Sequence, residues 1–192
     1  ISSYLATRAE DGLKPISVFS IGMAIRSLCG FLATKGYVSS DPSRMIVLPK
    51  FRARLPDPLT EEEVTRLLSF PAVRYVQIRD RAILELLYCG LRLAEALSLK
   101  EDGIHFDENH VRVYGKGGRE RLVPVGRHAC KALRTYQSER SRRFPGHPEP
   151  FFLTHRGRAL SRGAFWRRLK LYARRAGIQR PVYPHLLRHC FA

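Results

Sequence analysis

The sequence predicts a mainly α-helical protein carrying one small three-stranded antiparallel sheet, an α+β fold. Three observations predict it. Apolar residues recur with helical spacing over most of the 192 residues. Between Gly103 and Val125 the period shortens to two. That stretch is broken by Gly115-Lys116-Gly117-Gly118, a glycine-rich turn joining two of the strands.

Taken in order, Ile1 to Arg8 reads as the end of a helix, closed by a Glu10-Asp11-Gly12 turn. A second helix runs from Pro15 to about Lys35. Ile21, Ala24, Ile25, Leu28, Phe31 and Leu32 repeat with helical period, and Gly36 stands where a C-terminal cap belongs. This front piece, 1–46, is too short to hold a core alone. It reads as the remnant of a small helical domain. From Leu48 to Pro58, Pro49, Pro56 and Pro58 are mixed with Lys50, Arg52 and Arg54 without periodicity, which describes a basic extended linker over 47–58.

A second domain, 59–192, starts at Leu59-Thr60. Thr60 as N-cap and Glu63 three residues on form a capping box. A strongly apolar helix follows from about Val76 to Cys89, stopped by Gly90, then a short amphipathic helix from Leu91 to about Leu99. Gly103–Phe106, His110–Tyr114 and Glu120–Val125 are the three strands. A helix covers about Arg127 to Arg140 with Ala129, Leu133 and Tyr136 inward, and Phe151–Leu153 is a short extended piece. Phe165, Leu169, Tyr172, Ala173 and Ala176 mark the buried stripe of another helix, with Trp166 read as packing at its border. Pro184 suits the first turn of a last helix, where its missing N–H is no loss.

The charge bounds the function. The chain holds 34 Lys and Arg against 17 Asp and Glu, a formal +17. Counterion release makes nucleic acid the natural partner of so positive a surface. Between Arg156 and Arg180 lie Arg162, Arg167 and Arg168 among nine basic residues with no acid, as a face against phosphates would require. Cys29, Cys89, Cys130 and Cys190 lie far apart with no C-x-x-C pair, as in reduced thiols of a cytosolic protein. No apolar run reads as a membrane span and no start resembles a signal peptide, so the expected location is cytoplasmic with no membrane partner.

Two regions carry the chemistry. On the last helix His185, Arg188 and His189 stand at i, i+3 and i+4 on one face with no carboxylate among them, a receptor for something anionic. Arg92 follows Gly90-Leu91 at the junction of two apolar helices, with Glu95 one turn on. Read structurally, Arg92 and Glu95 are an i, i+3 pair holding a helix start, and Lys116 is an ordinary hairpin-tip lysine.

Together, Gly90-Leu91-Arg92-Leu93-Ala94-Glu95, the glycine-flanked Lys116 on its hairpin, and His185-Leu186-Leu187-Arg188-His189 resemble the tyrosine recombinases, also called the phage-integrase family, and most of all its bacterial Xer-type members. The family pattern is a G-L-R-x-x-E box, a hairpin lysine and an H-x-x-R-H box, all present here in order; Ala94 stands where serine is frequent. The resemblance extends to the front helix and linker, which look like the end of the family's core-binding domain. It implies cleavage of DNA by a tyrosine, giving a 3′-phosphotyrosyl link, with no metal and no cofactor. Arg92, Lys116, His185 and Arg188 would be catalytic, with Glu95 and His189 in support. Arg26, Lys50, Arg52, Arg54, Arg119, Arg162, Arg167 and Arg168 would hold DNA. The implied partner is a double-stranded recombination site gripped in a C shape, with a tetramer on two sites. The role could be dimer resolution with chromosome partition, phage integration or transposition.

The family places a further His or Trp and then the nucleophilic tyrosine beyond the H-x-x-R-H box, and the sequence stops at Ala192 before either. Tyr172 and Tyr183 do not match that position. The 192 residues are thus expected to bind DNA without cleaving it, and as a monomer. Three rivals remain open. A zinc site on His185 and His189 lacks the glutamate of H-E-x-x-H and has Arg188 beside it. A type IB topoisomerase uses a similar set of side chains. A non-catalytic DNA-binding relative would need only general positive charge.

Overall fold

The computed structural model describes residues 1–50, 57–146 and 149–190, with the side chain of Lys116 left out. The chain divides into two compact units, Ile1–Leu55 and Pro56–Ala192. The division falls within the stretch read as a linker. Arg52 and Arg54 lie outside the described residues, as do Phe191 and Ala192.

In the first unit α1 (Ser2–Glu10) packs against α2 (Pro15–Thr34), which starts on Pro15 at its first turn. Gly36 closes α2 in the left-handed region, φ +75°. Leu5, Val18 and Ile46 form a small core, and Gly22 is in close contact with Leu48, so a side chain there would clash. Two sequence readings of α2 are corrected. Its buried residues are Val18, Gly22 and Cys29, whereas Leu28 and Phe31 of the predicted stripe are exposed. The helix is apolar nearly all round, so periodicity does not say which face turns inward. It is also long and apolar enough to cross a membrane by length and composition, contrary to the reading that no run approaches a span. Arg26 is its single charge, and its guanidinium donates to the Ile46 carbonyl.

The second unit is built round α4 (Tyr75–Tyr88), which packs against α3 (Glu61–Leu68), α5 (Leu93–Leu97), α6 (Arg127–Arg143) and α8 (Pro184–His189). Ala82, Ile83, Leu84, Leu86 and Leu87 of α4 are fully buried and join Leu67, Leu91, Leu133, Tyr136, Phe165, Leu169 and Leu187 in one core. Burial on several sides explains why α4 is apolar on more than one face. The predicted capping box is present: Thr60 Oγ1 accepts from Glu63 N–H at 3.2 Å, and Glu63 accepts from Thr60 N–H at 2.9 Å. Thr60→Ala is expected to cost about 1 kcal/mol, visible as a melting point lower by a few degrees.

Strands β1 (Ile104–His105), β2 (His110–Tyr114) and β3 (Glu120–Pro124) form the expected antiparallel sheet in the order β1-β2-β3. Val111 pairs with Val123, Val113 with Arg121 and Tyr114 with Glu120. The β2–β3 turn closes with Gly115 N–H donating to Arg119 C=O at 2.8 Å. Gly117 and Gly118 sit at φ +78° and +73°, where a side chain would be strained. That is why the Lys116 turn is written in glycines.

α7 (Arg162–Arg175) buries Phe165, Leu169, Tyr172 and Ala173, as its stripe predicts. Its arginines are not all outward. Arg168 turns in to Asp80, which is fully buried and also accepts from Tyr172 Oη at 2.8 Å and from Arg79 Nη2 at 2.6 Å. A buried carboxylate needs such donors, because an unpaired one would cost several kcal/mol. Arg168 is thus committed to the interior.

Candidate active site

Each predicted residue sits at the end of an element. Arg92 is the N-cap of α5, Lys116 opens the β2–β3 turn, and Tyr183 is the N-cap of α8, which displays His185, Arg188 and His189. Leu186 and Leu187 anchor α8 in the core, so the three basic side chains are left toward the surface.

The structure brings Arg92, His185 and Arg188 together round one cavity of about 360 Å³. Arg162, Trp166 and Tyr183 also line it, and no carboxylate does among the described residues. Arg188 is half-buried and donates to the Gly90 carbonyl. Burial and the neighbouring Arg92 lower the Arg188 pKa, so the two guanidiniums feel each other's charge. His185 and His189 meet edge to face with ring centroids 4.5 Å apart. Burial, followed by the charges of His189, Arg188 and Arg92, lowers the His185 pKa. Each of these causes disfavours the charged imidazolium.

Glu95 is the acid behind this basic cluster. It is 5% exposed. It accepts from Arg92 N–H at 2.8 Å, Arg92 Nη1 at 2.9 Å, Arg121 Nη1 at 2.8 Å and Arg121 Nη2 at 2.7 Å. Burial alone would raise its pKa. The hydrogen bonds from Arg121 and Arg92 reverse this and bring it down to about 2. The structural reading of the Arg92–Glu95 pair is present: the same carboxylate caps α5 and holds the Arg92 guanidinium.

The other predicted DNA-binding residues are scattered. Arg162 reaches the cavity, while Arg119 and Arg167 are exposed and Lys50 is exposed in the first unit. Arg26 and Arg168 have the interior partners given above. Sequence reasoning missed Arg121 and took Trp166 as packing, whereas Trp166 is 47% exposed with Lys170 Nζ 4.5 Å from its ring centroid. A signal for Arg121 was present. It shares a strand face with Val123 and Val125, and an arginine on a buried face requires a carboxylate. Tyr172, set aside as a nucleophile, is buried, donates to Asp80 and has its pKa raised by that burial.

The helices round α4 and the small sheet are the architecture of the catalytic domain of a tyrosine recombinase. Residues 58–192 match the phage integrase family. The chain belongs to that family. It is 39% identical over 196 residues to the tyrosine recombinase XerD of Pseudomonas putida, spanning all of this chain and 66% of that protein. Against XerD of Vibrio cholerae the identity is 39% over 197 residues, with 65% of that protein covered. The chain thus spans just under two thirds of these relatives. Among solved structures, the XerA recombinase is 25% identical with a TM-score of 0.65, over 98% of this chain and 73% of that one. XerH bound to a palindromic difH substrate, a post-cleavage complex, has a TM-score of 0.80 over 99% of this chain and 58% of that one; at 22% identity it shows the shared fold alone.

Proposed function

We propose that these residues form the DNA-gripping and phosphate-holding part of a site-specific recombinase, whose nucleophilic tyrosine lies outside residues 1–192. The observation that carries this is the cavity lined by Arg92, His185 and Arg188, with no acid among the described residues of its lining. Glu95 offsets part of the Arg92 charge from behind, and the positive field that remains favours a divalent or highly polar anion in the cavity. A phosphodiester passing through a pentacoordinate state is such an anion. Each guanidinium can donate two parallel hydrogen bonds to it.

In the proposed step the tyrosine oxygen attacks phosphorus, the P–O bond to the tyrosine forms, and the P–O5′ bond breaks. The tyrosine proton passes to His185 as general base. The Lys116 ammonium protonates the departing 5′-oxygen. The 3′-phosphotyrosyl bond stores the energy for rejoining, so no cofactor or metal enters the scheme. Glu95 orients Arg92, and His189 supports His185. Unit Ile1–Leu55 is the end of the core-binding domain and, with Lys50, Arg52 and Arg54, supplies backbone contacts to duplex DNA in the cytoplasm. The complete enzyme works as a homo- or hetero-tetramer on two sites; residues 1–192 alone are monomeric.

The test is a covalent one. The full-length protein should leave a 3′-phosphotyrosyl adduct on a nicked duplex site, and a polypeptide of residues 1–192 should bind the same duplex and leave none. Strand exchange between two sites favours the recombinase, and relaxation of one supercoiled duplex without exchange would favour a type IB topoisomerase. Binding by the full-length protein with no adduct would leave a non-catalytic DNA-binding relative.

A further inference from the structure

We infer that Arg121 is a positioning residue for strand cleavage, tying the root of the Lys116 hairpin to the Glu95–Arg92 helix start. The inference rests on the recombinase reading above. Arg121 lies on β3, five residues past Lys116 and opposite Val113 of β2. Its guanidinium spans both sides of the site. Nη1 and Nη2 donate to the two oxygens of Glu95 at 2.8 and 2.7 Å. Nη1 also lies 3.5 Å from where a Cβ on Gly115 would stand, next to Lys116 in the chain. Glu95 in turn holds Arg92 by its backbone and by its guanidinium.

The arrangement has a clear consequence. The turn carrying Lys116 is largely glycine and closes on itself through Gly115 and Arg119, which leaves its direction weakly determined. Besides the ladder to β2 and the core packing of Val113 and Val123, its strand is tied to the arginine side of the site by a bidentate ion pair. The Glu95 side chain is nearly buried and that of Arg121 about one third exposed, so the pair is sheltered from the screening that weakens surface pairs. Arg121 needs no contact with DNA to act. It sets where the proton donor stands relative to the phosphate that Arg92 holds.

A leaving-group substitution separates this role from a structural one. An oxygen leaving from phosphorus needs a proton, whereas a sulfur at the same bridging position leaves as a stable thiolate and does not. In the full-length protein, Arg121→Ala is expected to slow cleavage of an ordinary duplex by about 100-fold, the cost of misplacing a catalytic group by about 1 Å. Cleavage of the same duplex with a 5′-bridging sulfur should slow by less than about threefold, with duplex affinity unchanged. Arg121→Lys, which keeps the charge without the planar fork, should retain most of the selective defect and guards against a fold lost in the alanine variant. Equal slowing on both substrates would assign Arg121 to Arg92 or to folding and overturn the inference, as would no slowing on either. Wild-type protein that cleaves neither substrate would instead refute the recombinase reading itself.

Discussion

Arg188→Ala in the full-length protein is expected to slow strand cleavage by about 10³-fold or more, while duplex affinity changes by less than about threefold. The size follows from what Arg188 is proposed to do. A preorganised donor aimed at charge that develops in the transition state is worth about 10²–10³ in rate, and a guanidinium supplies two donors and a full charge. Binding is spared because Arg188 is one of 34 basic residues, and duplex affinity spreads over many phosphates. Arg188 also donates to the Gly90 carbonyl, which joins α8 to the turn before Arg92, so a fold-preserving control is needed. Arg188→Lys retains the charge but cannot make two parallel hydrogen bonds, and should recover little of the rate. Single-turnover cleavage and filter binding on one duplex read both quantities. Parallel loss of binding and cleavage, with an unchanged melting point, would remove Arg188 from the catalytic set.

What could be seen in the sequence was local. The Thr60–Glu63 box, the Pro184 helix start and the glycines about Lys116 each depend on residues a few positions apart, and all three stand as expected. The grouping of Arg92 with His185 and Arg188 came through the resemblance, not through spacing. What stayed hidden was non-local or degenerate. Asp80 and Arg168 meet across 88 residues and Glu95 and Arg121 across 26, and nothing in a single chain of letters says which buried charges will pair. The acid-free basic run reads as a solvated or phosphate-facing surface because neither Asp80 nor its depth can be placed from the letters. α2 failed for a different reason. A helix that is apolar all round carries no stripe, so its buried side is chosen by its neighbours, here Leu48 against Gly22.

Glu95→Gln should show how much of the site is held by one carboxylate. In the folded chain Glu95 titrates at about 2, below its ordinary 4.5. As pH falls, the unfolded chain therefore takes up the proton first. The stabilisation from this group is fully present above about pH 4.5, shrinks below it and is gone near pH 2. The difference is worth about 3 kcal/mol at roughly 1.4 kcal/mol per pH unit. Glutamine keeps the shape and one acceptor oxygen, but it removes the charge and turns an NH₂ toward the Arg92 or Arg121 donors. Urea unfolding at pH 7 should place the variant about 3 kcal/mol below wild type, and the gap should close as both are taken to pH 2. Glu63, whose pKa the Arg180 hydrogen bond lowers, is common to both proteins and cancels in the difference. A gap that stays constant with pH would mean that shape, not charge, holds Arg92 and Arg121. In that case the Arg121 tether would have to act without Glu95's ionised form. A gap that closes shows that the ionised carboxylate holds Arg92 and Arg121, and cleavage at pH 7 should then fall in Glu95→Gln together with stability.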